Sequence, residues 1–265
     1  MSPTTAAWDA LQQLRRTKPL IQNITNYVAM NNSANALLAV GASPAMVHAV
    51  EEVEDFVTIA AALVINIGTI TPPWVQAMHL AARKAVELGK PWALDPVGVG
   101  ATSYRTGVAH ALLDERPTVI RGNASEILAL ANASDIRTKG VDSTHESEAA
   151  LLPARELALQ RECVVAVSGA IDIITDGEQV LRVSNGHPLM PYVTALGCSA
   201  TSLIGAFLAV HPDPLEAAAF AMAIFGLAGE IAAERSPGPG SLQVHLLDAL
   251  YGLDEATVRD GVKIA

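Results

Sequence analysis

Short apolar runs alternate with helical stretches through most of this 265-residue sequence, and each run stops at a small or polar residue. Ala62-Leu63-Val64-Ile65-Asn66-Ile67-Gly68, Pro91-Trp92-Ala93-Leu94-Asp95, Thr118-Val119-Ile120 and residues 163–168 are four of them. Runs that are apolar at nearly every position mark strands buried on both faces. Strands of that kind, separated by helices, build a parallel sheet with helices layered over both sides. The alternation predicts an α/β fold, a three-layer α/β/α sandwich around a mostly parallel sheet, in a single domain over residues 1–265.

Composition bounds the partners. Hydrophobic residues make up 51 % of the chain and aromatics only 4 %, so Ala, Val, Leu and Ile must fill the core. The net charge of −10 argues against nucleic acid or anionic membrane, since both demand a basic face. Phosphate ligands remain open to helix ends, one arginine and a metal. Two cysteines, Cys163 and Cys198, are too few for a disulfide framework or a four-ligand zinc site. No N-terminal segment has the basic start and apolar middle of a secretion signal. The longest apolar run, Ala217 to Gly229, is 13 residues, short of the about 20 that a membrane span needs. A soluble, cytoplasmic protein is expected.

Along the chain, residues 4–16 and 26–40 read as helices, the second ended by Gly41, and Pro44-Ala45-Met46-Val47 as a short strand. An acidic helix start follows at Glu51, Glu52 and Glu54. Pro72 and Pro73 open a helix that runs to Gly89, and further helices are expected around 104–114 and over 145–161. Asp176-Gly177 lies between two short strand-like runs and predicts a hairpin. Three helical blocks close the chain, at 198–210, 214–234 and 241–252, with Pro237-Gly238-Pro239-Gly240 breaking the last two apart.

In such sheets ligands bind outside the C-terminal ends of the strands. The residues there are Asn66-Ile67-Gly68-Thr69, Asp95-Pro96-Val97-Gly98, Arg121-Gly122-Asn123 and Ser168-Gly169. Gly197-Cys198 joins them at the start of the helix 198–210, where free N–H groups and the dipole favour anions. A thiol at that place is expected to have a depressed pKa. Glycine, a carboxylate, an arginine and small hydroxyls form an inventory for a phosphorylated ligand with a divalent metal. Asp95 is the leading carboxylate. Glu126 suits either a capping box with Asn123 or metal positioning, and spacing does not choose. Arg121 at a strand end is costly unless it meets an anion. The seven histidines, His145 among them, show no metal-ligand spacing.

Several segments together resemble one family, the hydroxyethylthiazole kinases of thiamine biosynthesis, within the ribokinase-like fold. They are Asn23-Ile24-Thr25-Asn26-Tyr27-Val28, Gly41-Ala42-Ser43-Pro44-Ala45-Met46, Asn66-Ile67-Gly68-Thr69, Asp95-Pro96-Val97-Gly98, Arg121-Gly122-Asn123-Ala124-Ser125-Glu126 and Gly238-Pro239-Gly240-Ser241. The resemblance implies phosphoryl transfer from ATP to the primary alcohol of 4-methyl-5-(2-hydroxyethyl)thiazole. It implies that Arg121, Ser168 and Gly197 contact ATP and that Asp95 and Glu126 organise Mg²⁺. It places Met46, Asn26, Val28 and Ala195 in the thiazole pocket and Cys198 at the catalytic position. It also implies a homotrimer with sites at subunit boundaries, Gly68 and Thr69 facing a neighbour's ligand.

The family's anion-hole segment usually reads Thr-Gly-x-Gly-Cys, whereas this chain has Thr194-Ala195-Leu196-Gly197-Cys198. A backbone N–H at 195 survives that change, but a methyl group disfavours a positive φ. Other readings of the same residues are a thiol hydrolase using Cys198, a non-catalytic nucleotide or thiazole sensor, and a related kinase acting on a hydroxymethylpyrimidine.

Overall fold

The computed structural model describes residues 2–131 and 146–265; His145, and with it the first residue of the helix expected over 145–161, lies outside them. Eight strands form one sheet: β1 (Leu20–Ile24), β2 (Ser43–Ala45), β3 (Ala62–Asn66), β4 (Trp92–Asp95), β5 (Val119–Asn123), β6 (Val164–Ser168), β7 (Asp172–Thr175) and β8 (Val180–Val183). Their order is β2-β1-β3-β4-β5-β6-β7-β8. Pairing is parallel from β2 through β6 and antiparallel from β6 to β7 and from β7 to β8.

Alternate residues of each strand enter different cores. Ile21, Val64, Ala93, Val119 and Ala166 face one apolar cluster, which also takes Leu11 and Leu14 of α1 (Pro3–Thr17) and Leu37 of α2 (Met30–Val40). Leu63, Ile65, Leu94, Ile120 and Val165 face the other, with Val57 of α3 (Val53–Ile59), Met78 of α4 (Pro72–Glu87), Leu112 of α5 (Ser103–Leu113) and Ile127 of α6 (Ala124–Ala131). Beyond β5 come α7 (Glu146–Ala149) and α8 (Leu151–Arg161). The first face is completed by α9 (Leu196–Leu208), α10 (Pro214–Ala233), α11 (Pro239–Gly252) and α12 (Glu255–Gly261). The expected α/β/α layering is the one observed.

Several boundaries differ from the sequence reading. The helix expected from residue 26 starts at Met30, because Ala29 N–H donates to both the carbonyl and the side-chain oxygen of Asn26 and turns residues 26–29. Pro239-Gly240 opens α11 instead of lying in the break, since proline at a first helical position loses no hydrogen bond. The helix α12 was not anticipated; Asp254 caps it by accepting the Thr257 N–H. The 13-residue apolar run lies within the 20-residue α10, which by length and composition alone is long enough to cross a membrane. It does not stand free: 83 % of its most apolar stretch is buried within the fold.

Both sheet edges are short. On one side β2 has three residues with Pro44, which has no N–H to donate, at its centre. On the other, Arg182 of β8 exchanges N–H···O bonds of 2.8 and 2.9 Å with Ala265, and Val183 bridges Ile264.

Candidate active site

The chain runs from β1 to β2 on one side and returns to β3 on the other, so a crevice opens beyond the C-terminal ends of β1 and β3. Asn26 follows β1 and Asn66 ends β3. Asp95 ends β4 directly beside Asn66 in register, and Asn123 at the end of β5 pairs with Ser168 at the end of β6. The first turn of α9 lies across these ends. A Cβ on Gly197 would lie 2.7 Å from Arg121 Nη1, Thr201 Oγ1 donates to Asp95 Oδ2 at 2.9 Å, and Asn26 Nδ2 donates to Cys198 Sγ at 3.4 Å. Asn66, Asp95 and Arg121, from three separate strand ends, are thereby gathered around one helix N-terminus, while Ser168 lies one strand further on, bonded to Gly122.

Asp95 is buried, and burial raises its pKa to about 6. The Arg121 charge opposes the rise, Glu126 adds to it, and hydrogen bonds from Thr201 and Asn66 oppose it. Its second oxygen, Oδ1, has no hydrogen-bond partner among the described residues. Glu126 forms the capping box: Oε2 accepts the Asn123 N–H at 2.8 Å while Asn123 Oδ1 accepts the Glu126 N–H at 2.9 Å. Its other oxygen accepts the Gly98 N–H at 2.8 Å, so one carboxylate ties the loop after β4 to the start of α6. Among the described residues Arg121 forms no salt bridge, and its buried Nε has no hydrogen-bond partner. Ser168 Oγ donates to the Gly122 carbonyl at 3.3 Å.

The thiol expectation is overturned. Burial, with the Asp95 charge adding to it, pushes Cys198 up to about 11, against lowering by N–H donation from Asn26 and Asn66 and by Arg121. The helix terminus is present, but desolvation outweighs it, and the thiol keeps its proton at neutral pH. Ala195 departs from expectation as well. It adopts the left-handed conformation (φ 65°, ψ 4°) that its methyl group disfavours, directly before α9.

A family model describing the hydroxyethylthiazole kinase family matches residues 11–256. The chain belongs to the hydroxyethylthiazole kinase family. It is 56 % identical over 254 residues to a hydroxyethylthiazole kinase of Cereibacter sphaeroides, covering 96 % of both chains. The solved hydroxyethylthiazole kinase structure from Pyrococcus horikoshii OT3 matches with a TM-score of 0.91 and 43 % identity over 98 % of both chains. A ribokinase-like superfamily protein of Enterococcus faecalis matches at 14 % identity with a TM-score of 0.63, covering 91 % of this chain and 88 % of that one, which shows the fold alone.

The remaining residues named by resemblance to the hydroxyethylthiazole kinases fall in two places. Met46 directly follows β2, packed against the first core. Asn26 is buried with its amide turned inward, so its polar atoms are spent on Ala29, Asn66 and Cys198 rather than facing an open pocket. Val28 is 57 % exposed, and the neighbouring Tyr27 N–H donates to Thr69 Oγ1 at 3.1 Å. Residues 27–28 and 69 therefore form one outward-facing patch, with Tyr27 against Trp74 at a ring separation of 4.9 Å. A cleft of about 530 Å³ lined by Lys90, Trp92, Arg116 and His211 lies at the opposite end of the sheet, remote from this chemistry.

Three residues escaped the sequence reading. Arg105 of α5 donates to the carbonyls of Ile67, Val97 (2.8 Å) and Gly68 (3.0 Å), stapling together the loops after β3 and β4. Thr201 lies one helical turn beyond Gly197, a spacing that would have put it on the same face. Asp172, at the start of β7, is buried and raised to about 6 by that burial, opposed by the Gly169 N–H and the Arg121 charge. No sequence signal distinguishes it from an ordinary turn residue.

Proposed function

We propose that this protein transfers the γ-phosphoryl group of ATP to the primary hydroxyl of 4-methyl-5-(2-hydroxyethyl)thiazole. The observation that carries this reading is the meeting of Arg121, Gly197, Cys198 and Asp95 at the N-terminus of α9. Backbone N–H groups from Ala195 to Cys198 offer an anion cradle for the transferring phosphate. Arg121 supplies positive charge beside it, and Ser168 lies at the neighbouring strand end for the nucleotide. The hydroxyl oxygen attacks the γ-phosphorus, the bond to the β,γ-bridging oxygen breaks, and ADP leaves with that electron pair.

The donor set fits Mg²⁺, which takes one or two carboxylates together with phosphate oxygens and keeps waters. Asp95 offers the unspent oxygen Oδ1, and Glu126 stands beside it with both oxygens already on backbone N–H groups. The ion would supply charge neutralisation for the phosphates. Cys198 orients the alcohol by hydrogen bonding; a thiol raised to about 11 keeps its own proton, so the hydroxyl proton stays in place until late and passes to an oxygen of the transferred phosphoryl group, as a loose transition state permits. Met46 lines the thiazole side, with Val28 as a further candidate there. The exposed patch of Tyr27, Val28 and Thr69 supports a homotrimer in which that patch, with Gly68, meets a neighbour's ligand. One domain over residues 1–265 and a cytoplasmic location complete the reading.

Incubating the protein with ATP, Mg²⁺ and a panel of heterocyclic alcohols, and following ADP release, tests it. Turnover of the thiazole alcohol at the highest kcat/KM is expected. A higher kcat/KM for a hydroxymethylpyrimidine, or binding without transfer, would overturn it.

A further inference from the structure

Two buried side-chain amides span the distance between Cys198 and Asp95. Asn26 is 5 % exposed and Asn66 1 %. Asn26 Nδ2 donates both to Asn66 Oδ1 at 2.8 Å and to Cys198 Sγ at 3.4 Å, and Asn66 Nδ2 donates to Asp95 Oδ2 at 2.7 Å. The direction of this ladder is not free. Ala29 N–H donates to Asn26 Oδ1 at 3.0 Å and Gly68 N–H donates to Asn66 Oδ1 at 2.9 Å. A backbone N–H can only donate, so each amide oxygen is fixed, and each NH₂ must point onward towards sulfur and carboxylate. Turning either amide over would set a backbone donor against a side-chain donor in a buried place, which is costly.

We infer that Asn26 and Asn66 are positioning residues that set the direction of the Cys198 thiol and hold it at a fixed offset from Asp95. The inference rests on the proposed role of Cys198 beside the alcohol. A sulfur that accepts an N–H from Asn26 keeps its own proton turned away from that amide, so its remaining donor and acceptor directions are left for the hydroxyl. At the other end the same ladder occupies Asp95 Oδ2 together with Thr201 and leaves Oδ1 free. The alcohol side and the phosphate side of the reaction thus share one rigid spacer, and in-line transfer depends on their alignment. Gly68 belongs to the same device. A Cβ there would lie 2.5 Å from Asn26 Nδ2, so the ladder needs a residue without a side chain at that position.

A double-mutant cycle of Asn26→Ala and Cys198→Ala tests the inference, with iodoacetamide alkylation of Cys198 as a second readout that does not depend on turnover. Cys163 is buried and raised to about 12, so it contributes little to the alkylation signal. Asn26→Ala is expected to lower kcat by about 10-fold or more with KM for ATP within about twofold, and to change the alkylation rate in nucleotide-free protein. In the Cys198→Ala background the same replacement should cost less than about threefold in kcat, because residues that act through one another are not additive. Equal losses in both backgrounds, or an unchanged alkylation rate, would overturn the positioning role. Full activity of Cys198→Ala alone would overturn the reading of the thiol instead, while alkylation still reports on the ladder. If Asn26→Ala does not fold, Asn26→Asp keeps the acceptor for Ala29 N–H, removes both N–H donations, and is judged by the same outcomes.

Discussion

Gly197 stands where any side chain would meet Arg121, a Cβ at that place lying 2.7 Å from Nη1. The guanidinium occupies the space that a larger residue would fill, and this brings it against the N-terminus of α9. Gly197→Ala should displace Arg121, raise KM for ATP about tenfold or more and leave the fold intact, since an arginine head group can swing to solvent. Steady-state kinetics with ATP varied would show it. An unchanged KM would mean that Arg121 does not need this approach.

Ala195 offers the opposite case, a methyl group in a glycine-like conformation. Relief of its left-handed strain is worth about 1–2 kcal/mol, and the extra freedom glycine gives the unfolded chain costs about 0.4–1 kcal/mol. Ala195→Gly should therefore stabilise the protein by roughly 0.5–1 kcal/mol. Thermal unfolding should show a midpoint higher by about 1–3 °C. A lower midpoint would contradict the strain assigned to residue 195.

Asp95 holds its charge at the expense of stability. Its folded pKa of about 6 lies above the ordinary 3.8, so between those values the folded protein binds more protons than the unfolded chain. The stability linked to this group is present below pH 4 and is lost as pH rises through 6. Asp95→Asn should consequently be more stable than the parent at pH 8, by about 2–3 kcal/mol at most, with the advantage vanishing near pH 4. Phosphate transfer should be lost. Urea unfolding of both proteins at pH 4, 6 and 8, without nucleotide or metal, tests the sign. An advantage that grows towards acid pH would reverse the argument.

Arg105 is predicted to matter without touching the cradle. Arg105→Ala frees the carbonyls of Ile67, Gly68 and Val97 and should lower stability by about 1–3 kcal/mol, together with a fall in kcat. Arg105→Lys should not restore both, because one ammonium cannot reproduce a planar fork over two loops. Full recovery in the lysine variant would show that charge alone suffices there.

The strand ends were legible in the sequence because a parallel sheet places them together by construction. Asp95, Arg121, Gly197 and Cys198 could therefore be named without coordinates. What α9 does to its own thiol was not legible, because the pKa of Cys198 is set by burial and by partners 172 and 103 residues distant, Asn26 and Asp95. The same holds for the ladder, whose links join residues 40 and 29 positions apart, and for the clasp of Thr201 on Asp95 across 106. Glu126 was left between a cap and a metal group by its spacing. The geometry adds the cap, and the proximity to Asp95 leaves the second role compatible with it.

The pairing of β8 with residues 263–265 and the proline in β2 bear on self-association. An unpaired strand edge is a template on which another molecule can add a strand. Here one edge is three residues long and interrupted by Pro44, and the other is occupied by Ile264 and Ala265. Both edges thus resist growth of this sheet into a continuous intermolecular ribbon. A chain shortened to residue 262 would lose that cover on β8 and gain a route to aggregation that the intact fold closes.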